Sequence, residues 1–209
     1  MKTLAILAQK GGAGKTTLAV HWSVIADRSR STVVLLDADK QSSATKWFER
    51  REAETPLLVP VQPARPDAPT LKDALAACRR DGVDLAIVDT APHAEEPAVD
   101  AARLADLVVI PTRPAILDLE AISATVEIVQ SVGTKAVIVL NACPPRSPVT
   151  EDAREALKQY GLQVCPTPIV QRVALQYALN DGRAIIEYDN EAKAAVEMAA
   201  VLRWILRRL

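Results

Sequence analysis

Aromatic side chains are scarce in this chain: one Phe, three Tyr and three Trp among 209 residues. Its core must therefore be built from Val, Ile, Leu and Ala. Cysteine is scarce too. Cys78, Cys143 and Cys165 are odd in number, far apart and without CxxC spacing, which speaks against a disulfide framework or a zinc site and leaves three reduced thiols. The two histidines, His21 and His93, have no partner motif. Neither sign of charge prevails: 25 Lys and Arg stand against 26 Asp and Glu, so a nucleic-acid contact would need a local basic patch. No apolar run reaches membrane-spanning length, and Met1-Lys2 leads straight into a strand-like run with no room for a signal peptide. The expected compartment is cytoplasmic.

What is present is a globular composition, 49% hydrophobic and 24% charged, on a length that suits one α/β domain over residues 1–209. Short aliphatic and β-branched runs recur at Leu4 to Ala8, Thr32 to Leu36, Leu57 to Val61, Leu85 to Val88, Leu107 to Ile110 and Ala136 to Leu140. A weaker one lies at Leu162 to Cys165. Continuous apolar runs suit strands covered on both faces, the mark of a mostly parallel sheet. Helical patterns fall between them, at roughly 15–28, 43–53, 70–80, 96–104, 115–131, 150–160, 171–181 and 190–208. The expectation is a doubly wound α/β fold with helices on both faces of the sheet. Pro60 to Pro69 holds four prolines, which excludes a helix interior or a central strand and predicts a surface loop.

Directly after the first run stands Lys10-Gly11-Gly12-Ala13-Gly14-Lys15-Thr16-Thr17. Glycines let the backbone close around an anion, and the amides and the following helix N-terminus point at it. Lys15 is placed for the outer phosphates and Thr16 for Mg²⁺. The generic pattern asks for Gly where this chain has Gln9, and a second lysine, Lys10, opens the loop instead. Ligands of an open α/β sheet sit beyond the carboxyl ends of the strands, and two of these ends are acidic here. One reads Leu36-Asp37-Ala38-Asp39-Lys40-Gln41, the other Val88-Asp89-Thr90-Ala91-Pro92. An Asp after an apolar strand can hold Mg²⁺, usually through water, and Asp89 fits that role.

With its extra lysine the loop resembles the deviant Walker A motif of the ParA/MinD family of P-loop ATPases. The Asp-x-Asp-x-Gln segment and Asp89-Thr90-Ala91-Pro92 are similar to that family's two switch segments, with Lys40 in place of a usual proline. The resemblance covers nearly the whole chain. It implies ATP and Mg²⁺ as cofactors, with Gly11, Gly12, Ala13, Gly14, Lys15, Thr16 and Thr17 around the phosphates. It places Thr16, Asp37 and Asp89 about the metal and Asp39 beside the attacking water, and it takes Lys10 across a homodimer interface to the partner's phosphates. Asn141 matches a position that hydrogen-bonds adenine, a capping or turn role being the alternative. The segment Ile110 to Pro114, with Asp118 soon after, is similar to one at the nucleotide edge and dimer face.

The implied activity is weak ATP hydrolysis, stimulated by a partner, in a nucleoid-associated homodimer that works with a centromere-binding or cargo adaptor. The implied job is plasmid or chromosome partition, with positioning of carboxysomes or another protein cargo as the alternative. Non-specific DNA contact would fall to basic residues of the C-terminal third, foremost Arg172, Arg183 and Arg203, although acidic neighbours dilute that patch. The last helix carries an apolar arc of Met198, Val201, Leu202, Ile205, Leu206 and Leu209 opposite Lys193, Glu197, Arg203 and Arg207. Membrane binding of a MinD-like kind is the weaker reading of it, and packing of that arc on the sheet the stronger.

Overall fold

The computed structural model describes residues 1–29, 31–61, 68–93 and 95–209. Seven strands form one sheet: β1 (Lys2–Ile6), β2 (Val33–Ala38), β3 (Leu57–Pro60), β4 (Leu85–Thr90), β5 (Leu107–Thr112), β6 (Ala136–Leu140) and β7 (Gln163–Val164). Their order is β3-β2-β4-β1-β5-β6-β7, and every pairing is parallel. The helices are α1 (Lys15–Asp27), α2 (Ser43–Glu49), α3 (Leu71–Arg80), α4 (Glu95–Leu104), α5 (Ile116–Val132), α6 (Val149–Leu157), α7 (Val173–Asn180), α8 (Ile185–Tyr188) and α9 (Lys193–Leu206).

Period-two alternation sends successive strand residues to opposite layers. Leu4 and Ile6, Val33 and Leu35, and Leu85 and Ile87 join one core with Leu18, Trp22, Trp47, Ile185, Met198 and Leu202. Ala5 and Leu7, Val34 and Leu36, and Ala86 and Val88 join the other, with Leu75, Ala98, Ile122, Val126, Ala153 and Leu157. Thus α1, α2, α7, α8 and α9 cover one face and α3 to α6 the other, the doubly wound arrangement that the apolar runs imply. Trp22 in α1 is fully buried, and truncating it to Ala should cost about 3–5 kcal/mol.

Several boundaries differ from the sequence expectation. Strand β1 ends at Ile6 rather than Ala8, although the Leu7 N–H still bonds the Val109 carbonyl of β5 at 2.9 Å before the chain enters the phosphate loop. Helix α2 stops at Glu49, not 53, where Arg51 turns back to hold the Thr55 carbonyl. Helix α6 finishes as a 3₁₀ turn over Lys158–Tyr160. Helix α8, four residues long, has too short a period to be read from sequence. The Asp89-side carboxyl ends of the strands all open on one edge, and the chain turns from one side of β1 to the other there, since β4 lies on one flank and β5 on the other. Of the predicted proline loop, residues 62–67 lie outside the described residues. The apolar arc of α9 packs as expected: Met198, Val201, Leu202 and Ile205 are buried, while Leu206 is 41% exposed. Among the described residues no helix is long and apolar enough to cross a membrane.

Candidate functional site: a phosphate loop flanked by buried carboxylates

The loop joins β1 to α1. Gly14 sits just before α1 at φ 92°, a left-handed conformation that L side chains rarely adopt. A Cβ there would also collide with the Asn141 amide, so glycine is required twice over. Lys15 is only 6% exposed and folds back so that its ammonium donates to the Ala8 carbonyl at 3.0 Å. Burial lowers its pKa, while the carboxylates of Asp89 and Asp39 act in the opposite direction.

Strand register brings the acids together. Asp37 on β2 is the direct neighbour of Asp89 on β4, which in turn pairs with Ile6 at the end of β1. Asp89 is fully buried, and among the described residues neither carboxylate oxygen has a well-formed hydrogen bond. Burial pushes its pKa up to about 7; the nearby Thr16 side chain and Lys15 moderate this, and the charges of Asp37 and Asp39 add to it. Asp37 is equally buried but satisfied. It accepts from the Asp39 N–H at 3.1 Å and from the N–H and hydroxyl of Thr45 at 2.8 and 2.7 Å, tying the strand end to the first turn of α2. Asp39 is 7% exposed and accepts from the Gln41 N–H at 2.9 Å.

An orphaned, dehydrated carboxylate beside a hydroxyl and a buried ammonium is costly without a ligand. Among the described residues no three His, Cys, Asp or Glu side chains gather into a metal cage. A buried carboxylate with a hydroxyl beside it suits Mg²⁺, which takes one or two protein oxygens and completes its shell with water and phosphate. The residues fit a Mg²⁺–nucleotide complex: Thr16 and Asp89 toward the ion, with Lys15 and the loop amides toward phosphate.

Lys10 lies at the rim, where its ammonium pairs with Asp118 of α5 at 3.1 Å; the two side chains are 38% and 13% exposed. Sequence reasoning singled out both residues but not their contact. Gln9, standing where the generic pattern has Gly, is held from two sides: its N–H donates to the Thr125 hydroxyl at 3.1 Å, and its carbonyl accepts the His93 N–H at 3.1 Å. The segment after β4 is thereby hooked to the start of the loop. Asn141, 7% exposed at the end of β6, donates its side-chain amide to the Ala13 carbonyl at 2.8 Å. That bracing of the loop from 128 residues away carried no sequence signal. Beyond the end of β6, Cys143 donates its N–H to the Ile169 carbonyl and its carbonyl accepts the Gln171 N–H, each at 2.9 Å, beside a cleft lined by Pro144, Pro145, Gln171 and Arg172.

The three candidate DNA contacts fall on separate elements. Arg172, at the start of α7, is paired with Glu197, and Arg183, between α7 and α8, with Asp181. Arg203 on α9 is exposed and has no ion-pair or hydrogen-bond partner among the described residues. The three cysteines are buried and unbridged.

An anion loop between β1 and α1, two acidic strand ends in register and an all-parallel, doubly wound sheet define a P-loop nucleotide-binding protein. The chain belongs to the CobQ/CobB/MinD/ParA nucleotide-binding family, whose domain model matches residues 4–185. It is 33% identical to the maintenance of carboxysome distribution protein A of Gloeobacter kilaueensis, covering 100% of this chain and 94% of the relative. It is 28% identical to the chromosome-partitioning ATPase Soj of Thermus thermophilus, over 90% of this chain and 88% of that one. The fold is also that of MinD in the MinC:MinD cell division complex of Aquifex aeolicus, with a TM-score of 0.79 at 18% identity over 99% and 96% of the two chains.

Proposed function

We propose that this chain is a Mg²⁺-dependent ATPase that dimerises around ATP, binds DNA without sequence preference in that state and releases it when an adaptor stimulates hydrolysis. The observation that carries the reading is Lys10: a lysine at the mouth of the phosphate loop, outside the ring of groups that hold the chain's own phosphates, and kept at the rim by Asp118. From that position it is free to exchange one anionic partner for another, the phosphates of a second subunit. Phosphoryl transfer to water asks the protein for positioning and charge stabilisation. Lys15 and the loop amides would orient the phosphates, Thr16, Asp89 and Asp37 would hold Mg²⁺, and Asp39 would orient the attacking water. Bound there, Mg²⁺ would supply neutralisation of the charge that grows on the phosphate oxygens. Asn141 braces the loop through the Ala13 carbonyl, and in this reading its remaining amide groups serve adenine.

The cycle suits partition of plasmid or chromosomal DNA. Positioning of a large protein assembly on the nucleoid is a second reading, favoured by the full-length similarity to a carboxysome distribution protein. Sedimentation with a slowly hydrolysed ATP analogue tests the core of the proposal. Lys15→Ala should abolish nucleotide binding, whereas Lys10→Ala should bind nucleotide as a monomer and fail to dimerise. A Lys10→Ala protein that dimerises like wild type would sink the sandwich arrangement. Fluorescent fusions imaged with candidate adaptors then separate DNA cargo from protein cargo.

A further inference from the structure

Helix α2 is seven residues long, about 10 Å at 1.5 Å per residue, and both of its ends are anchored. The front end is Thr45, held by the Asp37 carboxylate of the nucleotide site through two hydrogen bonds. The rear end grips a segment more than 120 residues away in sequence. Trp47, 2% exposed, donates its indole N–H to the Arg183 carbonyl at 3.3 Å, and Arg50 donates to the Leu179 carbonyl at 3.3 Å. Just past the helix, Arg51 forks onto Glu187 with both N–O distances at 2.7 Å and also donates to the Gly182 carbonyl at 3.2 Å. Its side chain is 4% exposed and lies over the Trp47 ring. Glu187 also accepts the Ala184 N–H at 2.8 Å, so the same carboxylate fastens the start of α8.

Gly182 shows how close the two pieces run: at φ 67°, a Cβ on it would strike the Arg50 carbonyl. A bidentate guanidinium–carboxylate pair has a fixed plane and two parallel bonds, so it passes on a displacement that a single flexible contact would absorb. Beside the fork lies a cleft of about 620 Å³ lined by Arg28, Arg51, Glu52, Asp181, Arg183 and Glu187, which gives the segment room to move.

We propose that α2 is a relay: a change around Asp37 and Asp39 on exchange of nucleotide passes through Thr45, along the helix and through the Arg51–Glu187 fork to residues 182–188, which present Arg183. The relay rests on nucleotide binding at the phosphate loop and on no assumption about DNA or cargo.

Hydrogen exchange of the full chain with ADP–Mg²⁺ and with a slowly hydrolysed ATP analogue and Mg²⁺ tests it. The expected result is protection of residues 10–17 by either nucleotide, and exchange at Arg183 to Tyr188 that differs severalfold between them. Arg51→Lys keeps the charge but loses the fork. It should erase the difference at 183–188 while leaving protection of 10–17 intact, which a merely structural role for Arg51 would not produce. A protected loop with unchanged exchange at 183–188 in the wild-type chain overturns the relay alone, and needs no variant to fold. An Arg51→Lys protein that keeps the wild-type difference overturns it as well. A loop that neither nucleotide protects overturns the nucleotide reading, and the relay with it.

Discussion

Replacing Asp89 with Asn should make the nucleotide-free protein more stable and at the same time deaf to Mg²⁺. The carboxyl is fully buried with no well-formed hydrogen bond among the described residues, and burial moves its pKa from an ordinary 3.8 to about 7. The fold thus keeps this proton up to about pH 7, whereas the unfolded chain releases it near 3.8. Between those values the unfolded chain binds fewer protons, so stability falls as pH rises through the window and stays lowered above it. At about 1.4 kcal/mol per tenfold shift, the loss is roughly 4 kcal/mol at pH 8 and vanishes near pH 4. In a chain of this size that corresponds to about 10 °C in Tm. Asn has the same shape and no charge, so the variant escapes the loss. Thermal unfolding of metal-free protein at pH 5 and pH 8 should show the variant more stable, by a margin several degrees larger at pH 8. Addition of Mg²⁺ and nucleotide should raise the wild-type Tm and reverse the order, because only the carboxylate can serve the ion. A variant no more stable than wild type at pH 8, or a margin equal at both pH values, would refute the reasoning.

Asp39→Ala should slow turnover at least tenfold while nucleotide affinity stays within a few fold, since the role assigned to it is orienting water; turnover and binding measured on one preparation check this. Arg203→Glu should weaken ATP-dependent DNA binding and flatten its salt dependence by about two contacts per dimer, read by gel shifts at several salt concentrations. Arg172→Glu would instead face Glu197, so its first effect should be a lower Tm. His21 is fully buried, and its ring accepts the Ile185 N–H at 3.0 Å; burial pushes its pKa down to about 4. The folded ring stays neutral while the unfolded one protonates near 6.5, so stability present above pH 6.5 is lost as pH falls toward 4, by roughly 3 kcal/mol. His21→Asn keeps an acceptor for Ile185 but does not titrate there, and urea unfolding at pH 7 and 4.5 should show a smaller acid loss than in wild type.

Chemistry carried by contiguous residues was legible in the sequence, and chemistry made by chain crossings was not. The phosphate loop needs glycine, lysine and threonine within eight positions because one turn of backbone must wrap one anion, so Lys10 to Thr17 announces itself. Both acidic strand ends were legible for the same reason, each closing an apolar run that must stop at the sheet edge. Their different fates were not. Asp37 is satisfied by the Thr45 N–H and hydroxyl, whereas Asp89 in the next strand has no well-formed hydrogen bond among the described residues, and only register and helix placement decide between the two. The basic residues show the same limit. Sequence counts Arg172, Arg183 and Arg203 as equal charges, yet two are neutralised by acids whose positions follow from how α7, α8 and α9 pack.

Lys10 makes the case most sharply. Its identity departs from the generic loop and could be read at once, but its meaning depends on Asp118, 108 residues on, which reaches the rim because β5 lies beside β1 and delivers α5 there. The parallel order of the sheet is therefore what brings a one-residue deviation into an ion pair with Asp118. The same order places β2 and β4 side by side and so sets α2 between the acids at its front and the Arg51–Glu187 fork at its rear. If the proposed dimerisation and relay hold, nucleotide site, rim and C-terminal segment would be coupled through strand order rather than through any motif, and variants that disturb Arg51 or Asp118 should uncouple them while leaving the loop itself intact.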